Sequence, residues 1–318
     1  MYESFYGLRE RPFDLTPNPR FLLLTGKHRE ALSNLQYGLM SRRGLTLLIG
    51  DAGTGKTTLV RATLEQFEKQ GARIAYLNNP TLTRVEFYEF LSGAFELDPA
   101  AGSSKTRLLT ELGRILAARH AEGVLTALII DEAQALPDEL LEEIRLLANM
   151  ETATDKLLPI VLAGQPELAE RLNQASLRQL KQRVALRCQL GALDAREAAE
   201  YIAARIRIAG GSSAVVFTRQ AVDAIFARSG GIPRLISVIC DNALVSGFAA
   251  DRRPVGRDII DDVCRDFDLQ NATTGVTPRP PNVAAASGTP ALPKAAHPAG
   301  AARSLFEHFS IRRRFSLF

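Results

Sequence analysis

The chain has 318 residues, 46% hydrophobic, 23% charged and 7% aromatic, which is apolar content for a folded core and length for two compact units plus a tail. Its three cysteines, Cys188, Cys240 and Cys264, show no CxxC spacing, and its four histidines form no cluster with cysteines or carboxylates, which argues against a disulfide framework and against a zinc site. The formal net charge is +4, but from residue 272 onward six Lys/Arg face one acid, so the preceding residues are within one charge of neutral and the basic balance belongs to the tail.

The opening residues carry acids and prolines where a secretory signal needs a basic patch and an apolar run. No stretch approaches the ~18 consecutive apolar residues of a spanning helix. The expectation is a cytoplasmic protein, with any membrane contact peripheral and at the inner face.

Short β-type runs at 45–49, 73–77, 125–130, 158–162 and 184–190 alternate with helical stretches, which predicts an α/β fold with a parallel sheet sandwiched by helices. Most of these runs are almost continuously apolar, as strands buried on both faces must be. Between them Val60, Leu64 and Phe67, then Leu108, Leu112 and Ile115, then Leu140, Ile144 and Leu147 recur at helical spacing and read as packing stripes.

After Leu190 the strands stop. Asp194 with Glu197 forms a capping-box start, and Thr218 precedes the stripe Val222, Ile225 and Phe226, which ends at Gly230 and Gly231. Pro233 suits the opening turn of a helix carrying Leu235, Ile239 and Val245, and a further helix is expected over 258–267. The predicted organisation is an α/β domain at 1–191, a small all-helical domain at 192–270, and a disordered Ala/Pro-rich linker with a basic-aromatic end at 271–318. Phenylalanines interleaved with Arg312, Arg313 and Arg314 in that end suit anionic lipid or a partner's groove, with a solvated end as the alternative.

Gly50, Asp51, Ala52, Gly53, Thr54, Gly55, Lys56 and Thr57 match the pattern GxxxxGK followed by Thr or Ser, directly after a predicted strand and before a predicted helix that continues through Thr58. Glycines let backbone N–H groups curl around phosphate oxygens, Lys56 bridges the β- and γ-phosphates, and Thr57 offers a hydroxyl to Mg²⁺. The strand at 125–130 runs into Asp131 and Glu132, the first placed to hold Mg²⁺ through water and the second to polarise an attacking water. Arg234, opening a lid helix after Gly230-Gly231-Ile232-Pro233, is placed to fork onto phosphate oxygens. Arg183, just before the last strand, suits an arginine finger acting on a neighbouring subunit, with Arg178 as the competing candidate.

These segments resemble AAA+ ATPases. The opening Phe5-Tyr6-Gly7-Leu8, then Arg11-Pro12-Phe13-Asp14-Leu15-Thr16-Pro17, then His28-Arg29-Glu30-Ala31-Leu32, look like the general secretion pathway protein A (ExeA-type) branch, over about residues 1–268. The resemblance implies ATP and Mg²⁺ as cofactors, a homo-oligomer, and hydrolysis that drives assembly or remodelling of a protein complex in secretion or in the pilus or envelope. It also implies that Asn79 restrains the catalytic glutamate, that Gln165 orients water, and that residues 17–32 close over adenine; turn capping is the plainer reading of Asn79 and Gln165. Full-length secretion-type relatives carry a membrane span and a peptidoglycan-binding module after the ATPase part, and neither is expected within these 318 residues. The same branch looks similar to DNA-transposition regulators, so an ATP-dependent DNA-binding regulator is the alternative function.

Overall fold

A computed structural model describes residues 1–268 apart from 17, 22, 24 and 79. The expectations for residues 271–318 and the role given to Asn79 lie outside the described residues. Apolar runs become five parallel strands, β1 Leu45–Gly50, β2 Arg73–Leu77, β3 Thr126–Ile130, β4 Ile160–Gly164 and β5 Val184–Leu190, ordered β2-β3-β4-β1-β5. Every residue of β1, β3 and β4 is buried, whereas β2 and β5, at the sheet edges, keep exposed positions. The fourth strand starts two residues later than the expected 158–162. Pro159 has no N–H to give the ladder, so the strand opens behind it and runs on to Gly164, which pairs with Ile49.

Helices α1 Tyr2–Phe5 and α2 Gly26–Met40 precede the sheet, and α3 Lys56–Glu68, α4 Arg84–Ala94, α5 Lys105–Ala121, α6 Asp138–Leu147, α7 Pro166–Arg171 and α8 Arg178–Lys181 link its strands. Side chains alternate across a strand. Leu47, Ile49, Leu128, Ile130 and Leu162 therefore pack on one face with Phe87, Leu91, Leu112 and Ile144, while Leu48, Ile129 and Val161 pack on the other with Leu35, Leu59 and Phe67.

The remaining helices, α9 Ala195–Ile208, α10 Ser213–Val216, α11 Arg219–Ser229, α12 Pro233–Ala249 and α13 Arg257–Asp266, form the lid. The capping box of Asp194 and Glu197 is in place, Thr218 accepts from the backbone of Ala221, and Gly230 ends α11 at φ +57°. The buried stripe of α12 is Ile236, Ile239, Cys240, Ala243 and Leu244, so Val245, expected inside, faces out at 49% exposed. One step around a helix is about 100°, which is enough to turn the residue after a core leucine to solvent. The lid core also takes in Tyr2, Tyr6, Leu8 and Phe13, so the start of the chain packs with the lid helices. The Arg9 N–H donates to the Ala209 carbonyl at 2.7 Å, fixing that return. Among the described residues, no helix is long and apolar enough to cross a membrane.

Candidate functional site

The loop from Gly50 leaves the buried end of β1 and enters α3 at Lys56. Gly53 and Gly55 hold φ of +81° and +101°, a region a side chain disfavours. A Cβ on Gly53 would lie 2.7 Å from the Cβ of Arg234, and one on Gly50 would lie 2.7 Å from the Leu190 carbonyl. Lys56 is 4% exposed, and its Nζ donates back to the carbonyls of Gly50 at 2.7 Å and Asp51 at 3.0 Å. Burial lowers the pKa of this ammonium, while Glu132 and Asp131 nearby act the other way.

Beside the loop, β3 delivers Asp131, 2% exposed, whose Oδ2 accepts from the Thr57 hydroxyl at 2.6 Å and from Tyr76 at 3.5 Å. The next residue, Glu132, adopts left-handed backbone at φ +52°, a geometry that costs an L-residue about 1–2 kcal/mol and persists where its surroundings hold it. Its Oε2 accepts from Gln134 at 2.6 Å and from Gln165 at 3.5 Å, and the Gln134 side chain in turn accepts from the Gln165 N–H at 3.0 Å. Gln134 was not legible as a site residue, since nothing in its spacing distinguishes it from a polar turn residue.

Above the loop sits the lid. The Arg234 N–H, in the first turn of α12, donates to the Gly53 carbonyl at 3.2 Å. Loop and lid enclose a cavity of about 350 Å³ lined by Gly53 through Thr58, Glu132 and Arg234, closed by Asp14, Leu15 and Phe21 from the N-terminal segment and by Tyr201, Arg205 and Ser237 from the lid. His28 ties the N-terminal segment to the loop: Nε2 donates to the Thr54 carbonyl at 3.2 Å, which leaves Nδ1 to accept from the Thr25 hydroxyl at 2.8 Å. Burial holds the His28 pKa below its ordinary value, favouring this neutral ring. Sequence patterning marked His28 within a family signature without assigning it this contact, and it passed over Tyr201, Arg205 and Ser237 because they sit inside ordinary amphipathic helices.

Most of the expected site residues thus meet. Gly53 to Thr58, Glu132 and Arg234 share one cavity, Asp131 joins through Thr57, and Gln165 joins through Glu132. Arg183, directly before the edge strand β5, and Arg178, at the start of α8, are exposed and do not line this cavity.

Comparison with known proteins places this geometry. A family model described as an AAA domain matches residues 39–172. General secretion pathway protein A of Aeromonas hydrophila is 43% identical over 250 residues, which is 78% of this chain and 45% of that protein, so the chain spans about half the length of this relative. Among solved structures, Aeropyrum pernix ORC2 in ADPNP–ADP complexes aligns with TM-score 0.60 at 18% identity, covering 81% of this chain and 71% of that one. The Thermotoga maritima RuvB Holliday junction branch migration motor aligns with TM-score 0.54 at 16% identity, covering 78% and 71%. At such identities the likeness speaks for the fold, and with the phosphate-loop geometry it leads to one assignment: residues 39–172 match an AAA domain, in a chain that resembles general secretion pathway protein A.

Proposed function

We propose that the protein binds ATP between the α/β domain and the helical lid and hydrolyses it. The observation that carries this reading is the hydrogen bond of Thr57 to Asp131 directly beside the phosphate loop, with Glu132 lining the same cavity. The residues fit a triphosphate: Gly53 and Gly55 hold a left-handed loop, the backbone conformation that lets N–H groups curl around phosphate oxygens, and the Lys56 ammonium is buried at its base. They fit Mg²⁺ as well, because a hydroxyl and a carboxylate lie 2.6 Å apart as hard oxygen donors. When bound, the ion neutralises charge on the β- and γ-phosphates.

Within that frame each side chain has a task. Lys56 exchanges its two carbonyl contacts for phosphate oxygens. Glu132, steadied by Gln134 and Gln165, accepts hydrogen bonds from the attacking water and orients it toward the γ-phosphorus. Arg234, anchored to the loop through its own backbone, couples the γ-phosphate to the lid. Arg183, outside the cavity, acts on a neighbouring subunit's nucleotide in a homo-oligomer, with Arg178 as the alternative donor. Likeness to general secretion pathway protein A supports a role in which hydrolysis assembles or remodels a partner complex of secretion or the envelope.

Turnover of ATP measured against protein concentration, with Lys56→Ala as control and with and without duplex DNA, tests the reading. Mg²⁺-dependent turnover that rises per subunit with concentration and vanishes in the control is the expected result. Absence of both turnover and triphosphate binding overturns it, and strict dependence on DNA moves the function to a DNA-binding regulator.

A further inference from the structure

Arg205 is a cation that the hydrolysis machinery leaves without a task. It sits on α9 with 7% exposure and lines the cavity. Its Nη1 donates to Tyr201 Oη and, at 2.9 Å, to Ser237 Oγ, both neutral partners. Among the described residues, Nη2 reaches only the backbone carbonyl of Asp14, at 3.4 Å, and Nε, fully buried, has no acceptor. The Asp14 carboxylate accepts instead from the Thr16 N–H at 2.8 Å. A guanidinium enclosed to this degree ordinarily has a carboxylate across from it, and a buried donor without an acceptor is destabilising. The Phe21 and Tyr201 ring centres lie 5.0 Å and 5.3 Å from Cζ, which holds the guanidinium between the N-terminal segment and α9. With Nη1 engaged by two hydroxyls, the edge at Nη2, whose contact to the Asp14 carbonyl is long, is left to donate in plane.

The position of that edge selects the part of the ligand. Arg234, not Arg205, is tied to the phosphate loop, whereas Arg205 is grouped with Phe21, Asp14 and Tyr201, where the N-terminal segment closes the cavity. We infer that Arg205 is a nucleoside-reading residue: its Nη2 donates to an acceptor on the nucleoside half of the bound nucleotide, a ribose hydroxyl oxygen or a purine ring nitrogen, and not to the γ-phosphate. This rests on the nucleotide reading of the cavity. It gives Nη2 a shorter partner than the Asp14 carbonyl and joins lid, N-terminal segment and ligand in one contact.

The test measures affinity of the full chain for ATP, ADP, 2′-deoxy-ADP, 3′-deoxy-ADP and 7-deaza-ADP by calorimetry, for the protein as it stands and for Arg205→Met and Arg205→Lys. Arg205→Met is expected to weaken ATP and ADP alike by about tenfold to a hundredfold, the worth of a charge-assisted hydrogen bond. At least one of the three analogues should bind the unaltered protein about tenfold more weakly than ADP, and that difference should disappear in Arg205→Lys, which keeps the charge and loses the planar fork. If Arg205→Met fails to fold, the analogue series on the unaltered protein and on Arg205→Lys decides alone. Unchanged ADP affinity in Arg205→Met, loss confined to ATP, or three analogues that all bind like ADP would each overturn the assignment. Failure of the unaltered protein to bind ATP or ADP would instead remove the parent reading, and this one with it.

Discussion

The Thr57 hydroxyl donates to Asp131 Oδ2 across 2.6 Å, although 74 positions separate the two residues. The contact exists because β1 and β3 flank β4 in one parallel sheet and run out at the same edge of it. Residues that follow two such strands emerge side by side, and ligands of parallel α/β sheets bind beyond those ends.

Splitting the acid pair by substitution separates its two tasks. Glu132→Gln should retain nucleotide binding and lose about 10²- to 10⁴-fold in turnover, since the amide cannot orient water as a base does. Asp131→Asn should instead flatten the Mg²⁺ dependence of both binding and turnover. Equal Mg²⁺ titrations for Asp131→Asn and the unaltered protein would contradict the role given to Asp131.

Acidification should loosen the loop through His28. Its pKa in the fold is held below the ordinary imidazole value of about 6.5 by burial. Above that pH both folded and unfolded chains carry a neutral ring and nothing is lost. As pH falls below it, the unfolded chain takes up the proton first, so stability declines until the folded pKa is passed. Melting temperature between pH 7.5 and 5.5 should therefore fall more for the unaltered protein than for His28→Gln, and parallel curves would refute this.

Mixing two inactive proteins tests whether Arg183 acts between subunits. Arg183→Ala should lower turnover by about 10³- to 10⁵-fold without loss of ATP binding. Combined with Lys56→Ala, which keeps the arginine and lacks the loop cation, it should regain part of the activity in mixed oligomers. Recovery with Arg178→Ala in the same role, and none with Arg183→Ala, would transfer the task to Arg178.

Phe13, with no exposed surface, packs in the lid core and against the Phe217 ring at 6.2 Å. Phe13→Ala should cost about 3–5 kcal/mol, read as a lower melting temperature. The same change should weaken ATP binding, because Asp14 and Leu15, which line the cavity, follow it directly. Affinity equal to that of the unaltered protein would show that the segment does not need the lid core to close the cavity.

Local chemistry is what the linear order of residues determined by itself. Continuous apolar runs announced β1 and β3, a proline and two glycines marked the start of α12, and the loop from Gly50 to Thr57 with the acids after β3 was legible because phosphate binding needs glycines and a lysine at set intervals within one turn. Tertiary structure alone decided contacts between distant segments. His28 on Thr54, Gln165 on Glu132, Tyr6 and Phe13 inside the lid, and Arg205 at the cavity arise from elements brought together by packing. Periodicity reports which way a side chain faces on its own helix or strand, and carries no information about which element will cover it.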